Sequence, residues 1–375
     1  MTSEKRSAVV PRRYRGLVIL LAASLLLLAA AFGLSAYRDR AAEPADERMR
    51  GVSFVAGPPV DSTHIATLRA LHINWIAQTP FGWQARVDEP TFRIVTDGGI
   101  FWGERDSGLS ETARLAHAAG IHTLLKPHLW LRDRADGKWE GDIAMRNEED
   151  WKKWFAQYER FLVHYAELAE AAGIEALCIG TELEGTSERE SDWRRLIGRV
   201  RQIYSGQITY AANWSGEYER VRFWDALDFV GVQAYFPLSQ EGDPPLQQLL
   251  AGWRPHRDRL AAFAERVGKP IVFTEVGYRC AMGAAREPWL WRTRERENRA
   301  LQARCYEAVF RTFWGEPWFH GTFWWKWYPN GTGAHPHEDA VFTPQGRPAE
   351  AVLASWYSGS STTGDSLSVP VTASP

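Results

Sequence analysis

The sequence predicts an α/β protein, a (β/α)8 barrel of the TIM type preceded by one N-terminal apolar helix, and three observations predict it. Eight short apolar runs recur along the chain, helical stretches separate most of them, and about 310 residues lie between a polar tether and a polar tail. That length is typical of one large barrel with insertions, and alternating strand and helix is the pattern of parallel crossover units. A doubly wound open sheet is the alternative, weakened because no Gly-rich phosphate loop follows any strand.

In chain order, residues 1–15 carry Lys5, Arg6, Arg12, Arg13 and Arg15 against one acid, Glu4. Residues 16–36 then run 21 positions without a charge. At about 1.5 Å per residue that spans a hydrocarbon core of roughly 30 Å. The basic flank stays in the cytoplasm by the positive-inside tendency, so residues 16–36 read as an uncleaved transmembrane signal anchor with all that follows exported, periplasmic or extracellular. A cleaved signal peptide, leaving a secreted domain, is the competing reading, although its apolar region is usually only about 7–15 residues long. Residues 37–47 read as a tether and 48–357 as the folded domain. Residues 358–375, rich in Ser, Thr, Gly and Pro, read as a disordered tail.

Within the domain the strand candidates are Gly51–Val55, Ile73–Thr79, His122–Pro127, Ala176–Gly180, Gln207–Ala212, Phe229–Ala234, Ile271–Thr274 and His320–Trp325. Helices are expected over Ser62–Leu71, Ser110–Ala119, Glu149–Ala172, Ser191–Tyr204, Pro245–Val267 and Glu295–Thr312, with only a short one after strand five. In the third, Trp154, Phe155, Tyr158, Phe161, Leu162 and Tyr165 fall at three- and four-residue steps, one apolar face. Gly120, Gly173 and Gly268 each close a helix just before a strand, where a left-handed cap is needed.

Composition narrows the function. The chain of 375 residues has 44 Lys and Arg against 46 Asp and Glu, a formal charge of −2, so no global basic field drives nucleic-acid binding. Three cysteines exclude a disulfide scaffold or a Cys-rich metal module. Tryptophan is abundant, 19 residues. Such enrichment suits either an aromatic core or rings that stack on flat apolar ligand faces, sugars among them.

In a barrel the working groups sit where strands end. Those positions hold Ser53, Gln78, Lys126 with His128, Glu182, Asn213, Tyr235, Glu275 and Trp324–Trp325. Two are carboxylates ending apolar strands four and seven, and a carboxylate there needs a partner or a job. Lys126 and His128 alternate along strand three, which lets both point inward to touch substrate. Glu184 is a rival acid two residues beyond Glu182, read as a loop residue or substrate contact. Trp83, Trp102, Trp130, Trp214, Trp291 and Trp327 fall in βα loops where sugar stacking is plausible. Trp75, Trp151, Trp154, Trp193 and Trp224 are expected to pack.

IGTELE around Glu182, VQAYFPL around Tyr235, FTEVGY around Glu275, FWWKWYP near the end, KPH over Lys126–His128 and the closing FTPQGRPAE over Phe342–Glu350 resemble clan A glycoside hydrolases. The likeness is greatest to glycoside hydrolase family 113, the retaining endo-β-1,4-mannanases, and covers about residues 48–357. It implies Glu182 as general acid/base and Glu275 as nucleophile, with Tyr235 orienting the nucleophile. Trp325, or its neighbour Trp324, is then the platform of the −1 sugar. The clan usually has Asn before the acid/base, contacting the sugar 2-hydroxyl; here Thr181 stands there, which bears on sugar choice. The implied partner is a polysaccharide or oligosaccharide bound with help from Thr181, Asn213, Trp83, Trp102 and Trp130, on a monomer needing no cofactor and no metal. His335, His337, Glu338 and Asp339 match no zinc motif and read as loop polarity. Cys178 is expected to be a buried thiol, and Cys280 a candidate to pair with Cys305 in an oxidising compartment.

Overall fold

The computed structural model describes residues 48–329, 331 and 342–360. The expected basic segment 1–15, anchor 16–36, tether 37–47 and most of the tail, 361–375, lie outside the described residues, as do His335, His337, Glu338 and Asp339. Among the described residues no helix is long and apolar enough to cross a membrane.

Eight strands close a parallel barrel: β1 Met49–Phe54, β2 Trp75–Gln78, β3 His122–Leu125, β4 Ala176–Thr181, β5 Gln207–Asn213, β6 Phe229–Gln233, β7 Ile271–Val276 and β8 Phe319–Trp327. Each pairs with its neighbours in sequence, and β8 closes on β1. All eight runs expected from the sequence are strands. The principal helices that follow them are α1 Ser62–Ala70, α2 Asp106–Ala118, α3 Glu148–Ala172, α4 Glu190–Arg201, α5 Glu217–Arg220, α6 Leu246–Val267, α7 Arg299–Phe313 and α8 Pro348–Tyr357. The short helix expected after strand five is the single turn α5.

Local chemistry explains the long α3. Asn147 caps it by accepting the Asp150 N–H, and Glu148, Glu149 and Asp150 place negative charge at the positive end of its dipole. Its stripe from Trp151 to Ala169 is buried against the barrel, each large side chain contributing about 1.5–3 kcal/mol of burial. Gly173 then ends it at φ 66°, and Gly120 and Gly268 close α2 and α6 in the same left-handed form. Trp75, Trp151, Trp154, Trp193 and Trp224 are all buried, as their pattern implied.

The barrel interior is divided. Met49, Trp75, Ala77, Leu124, Ala176, Cys178, Ala211, Phe229, Val272 and Phe323 form one apolar cluster inside the ring, weighted toward the N-terminal ends of its strands. Toward the C-terminal ends the buried residues turn polar: Ser53, Gln78, Lys126, Thr181, Asn213, Gln233 and Glu275. Apolar filling below and polar groups above leave one end of the ring for chemistry.

One element escaped the sequence reading. Phe81–Gln84, Phe92–Ile94 and His128–Leu131 form a three-stranded sheet beyond the ends of β2 and β3. His128 therefore opens a strand of this lip, and Lys126 stands just past β3. The runs are three or four residues long, too short to signal a strand by alternation alone. Cys280 and Cys305 are free and buried, so the expected pairing is not made; Cys280 instead lies 3.6 Å from Glu297.

Candidate active site

The C-terminal end of the barrel opens into a cleft of about 820 Å³. Glu182, Glu275, His128, Thr181, Asn213, Tyr235, Trp130 and Trp325 all line it. These residues arrive from six strands or their extensions, so the cleft exists only once the ring is closed.

Glu275 stands near the end of β7 and is 5% exposed. The Lys126 ammonium lies 2.5 Å from its Oε1, and the Tyr235 hydroxyl donates to Oε2 at 2.8 Å. His128 Nε2 is 3.9 Å from Oε1. Burial alone would raise this carboxyl, yet the Lys126 ammonium beside it, by its charge and its hydrogen bond, holds it below the usual range. Glu275 is an anion at neutral pH. Burial and then the Glu275 charge push the Tyr235 phenol well above its usual value, so it stays a neutral donor. Burial, followed by the Lys126 charge, pushes His128 down to about 3, leaving a neutral imidazole whose buried Nε2 has no hydrogen-bond partner.

Glu182 directly follows β4 in the left-handed conformation, φ 51°, which costs a non-glycine residue about 1–3 kcal/mol. The surroundings hold it there. Its N–H donates to Ala211 O at 2.8 Å, and the next N–H, of Leu183, donates to the Tyr210 hydroxyl at 3.0 Å. Gly180 lets the strand end approach β5 closely; a Cβ there would lie 2.6 Å from the Tyr210 ring and 2.8 Å from Trp193. Asn213 Nδ2 donates to Glu182 Oε1 at 2.7 Å. Burial first, then the charges of Glu275 and Glu217, push this carboxyl up to about 8. Two glutamates at one mouth thus hold opposite protonation states at neutral pH, one anion and one acid.

The structure corrects several expected contacts. Lys126 is fully buried and outside the cleft wall; its ammonium serves Glu275 and the Thr274 carbonyl instead of substrate. Trp324 has no exposure and stacks on Tyr306 at 3.7 Å, because successive strand side chains face opposite ways and only Trp325 turns to the cleft. Trp83 lies on the lip sheet beside Phe81 and Trp130 but does not line the cleft. Trp102 packs over Gly108 at the start of α2, while its neighbours Phe101 and Glu104 reach the cleft. Trp327 is buried in β8. Glu184 begins a short turn and pairs with Arg220, away from the cleft.

Other lining residues went unread. Trp139 and Trp289 join Trp130, Trp214, Trp291 and Trp325 on the wall, and Trp214 stacks on Trp289 at 5.2 Å. Glu104, 7% exposed and raised by burial to about 7, also faces the cleft. A Glu ahead of a helix carries no strand-end signal, so nothing in the sequence marks it.

The sequence profile of Glycoside Hydrolase Family 113 matches residues 59–346, most of the chain and including Glu182 and Glu275. The chain belongs to glycoside hydrolase family 113. It is a glycosidase, and its cleft is that of a glycoside hydrolase acting on a polysaccharide or oligosaccharide. Among solved structures it is similar to the GH113 β-mannanase AaManA from Alicyclobacillus acidocaldarius in complex with ManMIm, at 33% identity, covering 83% of this chain and 97% of that one with a TM-score of 0.71. A GH113 β-1,4-mannanase is similar at 24% identity, 84% and 99% coverage and TM-score 0.70. The fold alone extends to the β-glucuronidase of Ruminococcus gnavus, at 12% identity and TM-score 0.56, where 83% of this chain covers 50% of that one. No curated protein sequence matches the chain.

Proposed function

We propose that this glycosidase cleaves β-1,4-linked mannan-type chains by a retaining double displacement. The observation that carries the reading is the pair of opposed carboxyls, Glu275 held as an anion by Lys126 and Tyr235, and Glu182 kept protonated near neutral pH. In this reading a Glu275 oxygen attacks the anomeric carbon as the glycosidic bond breaks, and Glu182 gives its proton to the departing oxygen. Water then enters, Glu182 takes a proton from it, and the resulting hydroxide displaces Glu275 from the anomeric carbon. Tyr235 fixes the Oε2 lone pair so that Glu275 meets the anomeric carbon in one orientation. Trp325 provides the flat apolar face for the sugar at the point of cleavage. Aromatic residues from the segments after β2 and β3 (Phe101, Trp130) and after β5 and β7 (Trp214, Trp289, Trp291) line the cleft and support a chain substrate.

The sugar assignment rests on the similarity to AaManA, a β-mannanase. Thr181 lines the cleft where the clan usually has an amide, and this favours a second reading, a hydrolase of another β-glucan or an envelope polysaccharide. A panel of mannan, glucomannan and cellulosic oligosaccharides, run with wild type and Glu182→Gln, separates them. Release of reducing ends from mannan alone, lost in the variant, is expected; release from a glucan and not from mannan would overturn the sugar. No release and tight binding would mark a carbohydrate-binding protein without turnover.

We also infer that residues 16–36 anchor the enzyme in a membrane with its catalytic domain outside the cytoplasm, on the strength of 21 uncharged positions after a basic flank. Protease added outside intact spheroplasts should digest the domain; full protection would refute that orientation.

A further inference from the structure

The acid/base side of the cleft rests on a third carboxylate that the reaction does not use. Glu217 opens α5, has no exposed surface and does not line the cleft. Its two oxygens serve two arms. Oε2 accepts the Asn213 backbone N–H at 2.7 Å. The same Asn213 accepts the Ser215 N–H on Oδ1 at 2.7 Å, which fixes the amide orientation and leaves Nδ2 to donate to Glu182 Oε1. Oε1 accepts the Tyr210 hydroxyl at 2.5 Å, and the oxygen of that hydroxyl accepts the Leu183 N–H. One arm therefore ends on the Glu182 carboxyl and the other on the peptide that follows Glu182.

The placement matters because Glu182 is the described residue whose backbone is strained at the site, with φ 51°. A left-handed glutamate after a strand swings its carboxyl through a large arc unless the peptides on both sides are held. On one side Ala211 O takes the Glu182 N–H; on the other, Tyr210 takes that of Leu183. Tyr210 and Asn213 both belong to β5, and both depend on Glu217 for their remaining hydrogen bond. Groups facing Glu217 are Tyr210 and Asn213 from β5, with Ser187 and Glu184 from the turn after β4. Each Glu217 oxygen accepts one hydrogen bond from β5, and each donor leads on to the Glu182 carboxyl or to the peptide after it, an arrangement suited to orientation.

We propose that Glu217 is a positioning residue for the acid/base, fixing the Glu182 carboxyl for proton transfer to the leaving group through Asn213 and Tyr210. This rests on the reading of Glu182 as the acid/base, and the test separates the two. The measurement is kcat/KM, which reports the first bond-cleaving step, on aryl β-mannobiosides carrying either a 2,4-dinitrophenyl or an unactivated phenyl group. The former departs without protonation; the latter needs the acid. Glu217→Gln is expected to lose about 10- to 100-fold on the phenyl substrate, within the range of general acid catalysis, and under about 3-fold on the dinitrophenyl substrate. Equal loss on both, or none on either, would overturn the proposal and leave Glu217 a packing residue. Tyr210→Phe keeps the ring and removes only the hydroxyl, so it carries the same contrast at smaller size should Glu217→Gln fail to fold. Glu182→Ala is run alongside. If that variant loses equally on both substrates, the acid/base assignment itself fails, a result distinct from any shown by Glu217→Gln.

Discussion

The two sides of the cleft hold the same residue type and do opposite things with it. On the β6–β7 side Glu275 is nearly sealed, with an ammonium on one oxygen and a phenol on the other. On the β4–β5 side Glu182 is half-buried and receives one amide proton from Asn213. Both carboxyls suffer desolvation. The first is rescued as an anion by a full positive charge 2.5 Å away, while the second faces two other carboxylates and stays protonated. Role follows from partners.

The largest effect should come from Glu275→Gln, which keeps the shape but removes the carboxylate proposed as nucleophile: activity on polymer falls by roughly 10⁴-fold or more, with cooperative thermal unfolding retained. Glu182→Gln comes next, losing about 10²–10⁴-fold on unactivated substrates and abolishing the alkaline limb that wild-type kcat/KM should show near pH 8, where Glu182 loses its proton. Lys126→Met breaks the asymmetry from the other side. It leaves a buried carboxylate unpaired, costing about 3–5 kcal/mol at neutral pH. The native Glu275 carboxyl is depressed, so its contribution to wild-type stability is present above the unfolded carboxylate range and fades as pH falls through the native value. The stability gap between wild type and Lys126→Met should therefore be widest at neutral pH and close in acid, and the acid limb of activity should move up. A gap that widens in acid would reverse the assignment.

Smaller effects sharpen the picture. Asn213→Ala removes a donor that favours ionised Glu182, so the alkaline limb should move further up while activity falls by about 10-fold; a downward move would refute that hydrogen bond. Trp325→Ala should raise KM by about 2- to 10-fold through lost stacking. Trp324→Leu should lower the melting temperature and leave KM alone, since that ring packs on Tyr306.

The barrel was legible because each strand is a short apolar run closed by a polar residue, and each of Gly120, Gly173 and Gly268 marks a helix end. Glu182, Glu275, Tyr235 and Asn213 were legible for the same reason: strand ends are the mouth. What escaped depends on contacts that only the fold creates. Lys126 reads as a substrate ligand until its ammonium is seen against Glu275. The neighbours Trp324 and Trp325 cannot be told apart until the strand's facing is known. Glu217, on a four-residue helix that leaves almost no periodic signal, joins the site only by hydrogen bonds to β5. The lip sheet escaped because pairing, not pattern, defines it.

Whether Glu275 is the ionised nucleophile and Glu182 its protonated partner is decided by trapping. A 2-deoxy-2-fluoro-β-mannosyl fluoride should inactivate the enzyme, and peptide mass spectrometry should then find one fluorosugar ester on Glu275. An adduct on Glu182, or no adduct while hydrolysis yields product of inverted anomeric configuration, would contradict it.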